Sequence, residues 1–247
     1  DGLTATLSTA CSSAANAIGL AVRMLRMGVT DRVVAGGSDA LCRFTLNGFK
    51  SLMILDEQPS RPFDASRAGL NLGEGAAYVV LEREEEASQR PYCYVAGFAN
   101  ANDAFHQTAS SPDGEGDYLA MRGALNEAGI TPSEVDWVNA DGTGTPNNDL
   151  AESRALRRLF GETLPPVSST KATTGHTLAA AGAVEAVICA LALRHGQWYP
   201  TRRFPGPDPE GGLRPLTRFT QSDLRCVLSN SFGFGGNCAS LVFTYAE

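Results

Sequence analysis

The stretch Leu3-Thr4-Ala5-Thr6-Leu7-Ser8-Thr9-Ala10-Cys11-Ser12-Ser13-Ala14 decides how the chain folds around its chemistry. A threonine-rich extended run meets a cluster of small residues, and a helix opens there. Leu3–Ser8 is predicted as a strand. Cys11–Met27 is predicted as a helix, with Ile18, Leu20, Val22 and Leu25 as its bulk and Gly28 as its stop. A helix N-terminus points free N–H groups and a partial positive charge at a side chain placed there. That lowers a thiol pKa, so Cys11 is the candidate nucleophile and the cysteine expected to react first. The plainer alternative is a small, inert core cysteine.

Outward from this junction, strands and helices alternate. Arg32–Ala35 reads as a strand, with Gly36-Gly37-Ser38-Asp39 as a turn, and Leu46–Leu52 reads as a short helix. Asp56–Gly75 is rich in Pro, Gly and Asp and reads as loop. Ala76–Leu81 and Tyr92–Phe98 are apolar strands around an acidic, solvated turn of helix at Glu82–Glu86. Helices follow at Asp117–Ala128 and Leu150–Phe160, with strands at Val135–Ala140 and Pro166–Ser169. Gly175–His195 is apolar on nearly all faces and so predicts a helix buried all round, with His195 as a basic group at its C-terminal end. Strands at Cys226–Asn230 and Ala239–Tyr245 close an α/β fold, a sheet covered by helices.

The 247 residues carry 20 Lys+Arg against 27 Asp+Glu, a net charge of −7. With 43% hydrophobic residues this excludes a disordered chain, and the acidic balance argues against nucleic acid and against a polybasic membrane anchor. Arg202 with Arg203, and Arg154 with Arg157 and Arg158, are either local patches for an acidic partner or solvated faces. No apolar run reaches the roughly 18 residues of a membrane span. Six cysteines without a CxxC pair point to reduced thiols in a cytoplasmic protein, with no metal site and no disulfide scaffold.

Six ordered segments carry a family resemblance. They are Thr9-Ala10-Cys11-Ser12-Ser13, Arg61-Pro62-Phe63-Asp64, Gly73-Glu74-Gly75, Asn139-Ala140-Asp141-Gly142-Thr143-Gly144-Thr145-Pro146, Ser169-Thr170-Lys171-Ala172-Thr173-Thr174-Gly175-His176, and Asn230-Ser231-Phe232-Gly233-Phe234-Gly235-Gly236-Asn237. Together they resemble the β-ketoacyl synthases of fatty-acid and polyketide biosynthesis. The resemblance implies a thiolase-like layered fold (αβαβα) with its first half truncated. Residues 1–90 would be the end of the N-terminal half with the nucleophile, and 91–247 the C-terminal half. Uncovered sheet edges and apolar faces would then need a partner chain or further residues.

The implied reaction is a decarboxylating Claisen condensation. Cys11 takes an acyl group as a thioester, and a malonyl thioester loses CO₂ to attack it. No cofactor is bound; substrates arrive on the phosphopantetheine of acyl carrier protein. His176 falls at a histidine that steadies the thioester oxygen. Lys171 falls at a lysine that orders the charges, and Glu185 at its buried partner; a purely structural ion pair is the other reading. Backbone N–H groups of Cys11 and Phe234 would form an oxyanion hole. Phe234 matches a gate to the acyl pocket, and core packing is the other reading for Phe232 and Phe234. Thr143 and Thr145 match threonines that bond the phosphopantetheine arm. His106, in the segment ending at Thr108, resembles a site near the malonyl carboxylate or a surface histidine. Partners implied are acyl carrier protein and a second ketosynthase-like chain, as homodimer or heterodimer.

The family pattern Ala-His-Gly-Thr departs here to Ala140-Asp141-Gly142-Thr143. An ionised carboxylate donates no hydrogen bond, repels an enolate, and raises a nearby thiol's pKa. The resemblance at this position is to non-elongating members, so a carrier-binding subunit that transfers acyl groups or serves as a partner without condensing is the competing function. A Cys–His hydrolase built on Cys11 and His176 is a third.

Overall fold

The computed structural model describes residues 2–246. The elements run α1 (Ser13–Arg26), β1 (Arg32–Asp39), α2 (Arg43–Ser51), β2 (Gly75–Glu82), β3 (Cys93–Asn102), α3 (Glu115–Ala128), β4 (Trp137–Asn139), α4 (Pro146–Phe160), β5 (Val167–Ser168), α5 (Lys171–Thr174), α6 (Ala181–His195), β6 (Gln197–Trp198), β7 (Thr220–Gln221), β8 (Cys226–Gly233) and β9 (Asn237–Tyr245). A five-stranded sheet has the order β3-β9-β8-β4-β5. It is antiparallel from β3 to β8 and parallel from β8 to β5. A second sheet pairs β1 with β2, antiparallel.

α1 and α6 lie between the two sheets. Their small residues allow this close approach: Ala14, Ala15 and Ile18 of α1 meet Ala183, Ala186 and Cys189 of α6 in one core cluster. α3 and α4 cover the far face of the five-stranded sheet through a second cluster around Met121, Leu125, Leu156 and Leu228. The described residues thus supply sheet, helices, sheet and helices of a thiolase-like layering. The outer face of β1–β2 is open, with Val34, Tyr78 and Val80 exposed, and α2 buries none of its residues.

Several expectations change. Leu3–Ser8 forms no strand; none of its residues pairs in a ladder among those described. The Gly36–Asp39 segment is not a turn but the second half of β1. Gly36 lies opposite Tyr78, and a Cβ there would sit 2.1 Å from the Ala77 carbonyl, so glycine serves close strand approach here. The long helix starts at Ala181 rather than Gly175, because Gly175 and Leu178 both take positive φ and interrupt it. It is buried on one face and only half-buried at Val184, Val187 and Leu191. The stretch Leu178–His195 is in fact long and apolar enough for a membrane span, but more than half of it is buried in the core. His195 lies in the last turn, and Gly196 is the C-cap residue.

Candidate active site

The turn before α1 is fastened by the hydroxyls that follow it. Ser12 Oγ donates to the Thr9 carbonyl at 2.8 Å, and Ser13 Oγ to the Ala10 carbonyl at 2.6 Å. Ala10 is held at a φ of 53°. This places Cys11 at the head of α1, 7% exposed.

His176 occupies the break that shortened the long helix. Its backbone N–H donates to the Asn71 carbonyl at 2.8 Å, and its carbonyl accepts from Gly73 N–H at 2.9 Å. So held, the imidazole Nε2 stands 3.0 Å from Cys11 Sγ. Behind this pair lies a buried charge cluster. Lys171 Nζ donates to Glu185 Oε1 at 2.7 Å, to Asp141 Oδ1 at 3.0 Å and to the Asp141 carbonyl at 2.7 Å.

The turn that carries Asp141 is anchored from α4. The Glu152 carboxylate accepts Asp141 N–H at 2.9 Å, Gly142 N–H at 2.8 Å and Asn230 Nδ2–H at 3.0 Å. Asp149 accepts Gly144 N–H at 3.1 Å and Phe63 N–H at 2.7 Å. Sequence reasoning did not single out Glu152 or Asp149. Their signal was two carboxylates in the first two turns of a helix that opens after a glycine-rich turn.

Burial sets the ionisation of the site, and here the sequence expectation is reversed. Dehydration, then the charge of Asp141, push the Cys11 thiol up to about 12; Lys171 and the backbone N–H groups of Phe234 and Cys11 only partly oppose this. Burial, then Lys171, pull His176 down to about 4, against the charge of Asp141. At neutral pH the pair is therefore a thiol beside a neutral imidazole, and Nε2 can accept the thiol proton. Burial first, and then the charge of Asp141, raise Glu185 to about 7 against the opposing charge of Lys171. Asp141 Oδ2, Glu185 Oε2 and His176 Nδ1 are buried without a hydrogen-bond partner among the described residues.

A cavity of about 290 Å³ opens onto Cys11 and His176. Thr143, Thr145 and Thr108 give it hydroxyls; Phe232 and Phe234 give it apolar wall. Thr143 Oγ1 and Thr145 Oγ1 lie 2.9 Å apart. Phe234 stacks on Phe49 of α2, with centroids 5.7 Å apart, a contact the sequence did not suggest. His106 is exposed; its Nδ1 accepts Thr108 N–H at 3.2 Å, and it does not line the cavity. A larger cavity, about 810 Å³, lies between α1, β2, β3 and α6, is mostly apolar, and is remote from this chemistry. Of the arginine clusters, Arg158 pairs with Glu115 at 2.8 Å, Arg157 reaches the Gly211 carbonyl, and Arg203 the Ala172 carbonyl, so these groups are spent within the chain.

Residues 1–87 match the family described as Beta-ketoacyl synthase, N-terminal domain, and residues 92–205 that described as Beta-ketoacyl synthase, C-terminal domain. The chain is 44% identical to 3-oxoacyl-[acyl-carrier-protein] synthase 2 of Rhizobium meliloti, over 95% of this chain and 59% of that protein. Among solved structures it resembles a ketosynthase in complex with its chain length factor from Xenorhabdus doucetiae, at 41% identity and a TM-score of 0.90, covering 98% of this chain and 60% of that one. It also resembles a type II polyketide acyl-carrier protein in complex with its ketosynthase, at 32% identity and a TM-score of 0.96, covering 99% and 64%. The chain spans about three fifths of the length of the curated relatives it matches.

Proposed function

The chain belongs to the β-ketoacyl synthase family, and from that premise we propose a ketosynthase-type acyltransferase whose condensing step is weakened by Asp141. The observation that carries this reading is the buried Cys11 Sγ–His176 Nε2 contact of 3.0 Å, backed by a lysine that Asp141 occupies.

Cys11 Sγ attacks the thioester of an acyl carrier protein while Nε2 of His176 takes its proton. The carrier thiol leaves, and the tetrahedral oxygen is met by the backbone N–H groups of Cys11 and Phe234. Both of these already favour negative charge at Sγ. The Thr143–Thr145 pair binds the phosphopantetheine arm, and Phe232 and Phe234 flank the acyl group. In the second half-reaction malonyl carrier loses CO₂, and its electron pair becomes an enolate. Protonated at Nε2, His176 supplies one donor to the enolate oxygen. Position 141 supplies a carboxylate, and the absence of such a donor costs roughly 10²–10³ in rate.

The same carboxylate favours a second reading, an acyl-transfer or partner subunit that binds carrier without condensing. The open β1–β2 face supports pairing with a further ketosynthase-like chain, as homodimer or heterodimer, in the cytoplasm. Mass spectrometry with an acyl carrier thioester should find the acyl group on Cys11; its absence would end both readings. CO₂ release from malonyl carrier then separates them. Asp141→His should raise that release by roughly 10²–10³. A protein that already condenses at the variant's rate would show that Asp141 does not weaken the step.

A further inference from the structure

We propose that this site also hydrolyses the acyl group held on Cys11, with His176 as general base for water. The inference rests on the acyl-transfer reading above and adds an activity to it.

The charge around the site decides which nucleophile it admits. Buried Asp141 and Glu185 share one cation, Lys171, and the buried Glu152 carboxylate accepts the Asp141 backbone N–H. A malonyl thioester brings another negative charge into this surrounding, where low dielectric strengthens repulsion. Water brings none. Hydrolysis also makes an imidazolium in its transition state, and the charge of Asp141 favours a protonated His176. The carboxylate that repels an enolate therefore assists a base.

The geometry needed is on hand once Cys11 is acylated. Sγ then holds no proton, so Nε2 at 3.0 Å has lost its partner and is free to accept one from a water beside the thioester carbon. Among the described residues, His176 Nδ1 has no partner that would fix the ring in the other tautomer. The cavity of about 290 Å³ has room for a water, roughly 30 Å³, beside an acyl group. In the step, one O–H bond of water breaks and its proton goes to Nε2. A C–O bond forms, and the C–S bond breaks. The proton passes to Sγ, leaving a free carboxylic acid and the Cys11 thiol, with no other reactant.

The test uses octanoyl-acyl carrier protein in ¹⁸O-water, with acid-quenched mass spectrometry of both the protein and the released acid. Expected are repeated turnovers, one ¹⁸O in each acid, and a rate about 10²-fold above spontaneous loss. Cys11→Ala should abolish release, and Asp141→His should lower it while condensation rises. Stoichiometric acyl-Cys11 that persists with acid at background would overturn hydrolysis and leave acyl transfer standing. Acid release unchanged in Cys11→Ala would overturn it too. Neither acyl-Cys11 nor acid would overturn hydrolysis and acyl transfer together.

Discussion

Cys11 and Cys42 each sit at the start of a helix, and water separates their chemistry. Cys42 is the exposed N-cap residue of α2, and its thiol is lowered by hydrogen bonds from Thr45. Cys11 has the same kind of helix behind it but no water, and burial wins. Iodoacetamide at pH 7 should therefore modify Cys42 well before Cys11, with peptide mapping as the readout; an acyl-mimicking epoxide that enters the cavity should reverse the order of these two. Rapid Cys11 alkylation by iodoacetamide would mean that the thiolate is stabilised after all. Lys171 is the second residue whose removal is informative. Lys171→Met leaves Asp141 and Glu185 without their cation, and breaking a buried pair from one side costs about 3–5 kcal/mol. Urea unfolding should show that loss at pH 7.5 and a smaller one at pH 5.5, where a carboxylate can take up a proton. An equal loss at both would mean that neither carboxylate takes up a proton between these pH values. Cys11, Lys171 and His176 were legible in the sequence because each sits in a short motif, and Glu185 because it is the one carboxylate in the long apolar stretch that follows His176. The Lys171–Asp141 pair was not, because thirty residues separate its members and nothing local aligns them. Phe49 was hidden for the same reason, since it acts on a turn distant in sequence.

At the level of elements, the break between α5 and α6 does more than end a helix. It leaves the backbone groups of His176 free to pair with Asn71 and Gly73, which fixes the imidazole over Cys11. Gly73 permits this, since a Cβ there would lie 2.4 Å from the Thr174 carbonyl. Gly73→Ala must push α5 away and carry His176 with it. A displacement of that order costs roughly 10²-fold in rate. Acyl-Cys11 formation should fall by about that factor while far-ultraviolet circular dichroism stays unchanged. Full activity in the variant would show that the strap does not position His176. The sequence identified the alternating elements through their apolar periods, and most boundaries moved by only a few residues. It misplaced the start of α6, since Gly175–Ala180 is apolar and small and continues the helical pattern across the break. It also took Gly36–Asp39 for a turn, because a glycine pair signals a turn locally. Only the tertiary neighbours, Ala77 and Tyr78 against Gly36 and Ala14 and Ala179 against Gly37, show that the pair is there for space.

For the whole molecule, the site's carboxylates set how stability varies with pH. Asp117 is raised to about 7, Asp149 to about 6 and Glu185 to about 7, each by burial before any other cause, and Glu152 is raised in the same direction. In the unfolded chain all four titrate near 4. Between pH 4 and these values the folded protein holds more protons than the unfolded one, so stability falls as pH rises through that window. His176 acts oppositely. Lowered to about 4 from an unfolded value near 6.5, it adds stability as pH rises between those limits. Above pH 6.5 that opposition is spent, while Asp117, Glu185 and Glu152 still titrate. Each linked proton is worth about 1.4 kcal/mol per pH unit. Scanning calorimetry should therefore give a lower Tm at pH 8 than at pH 6.5. Above pH 8.5 the decline should continue, because buried Cys11 and Cys226 and half-buried Cys93 are all held near 12, above their unfolded values. A Tm that rises from pH 6.5 to pH 8 would show that these carboxylates are already ionised in the fold at pH 6.5. With Asp141, Glu185 and Glu152 then ionised against Lys171 alone, the cluster would be net negative, and its repulsion of a malonyl group stronger still.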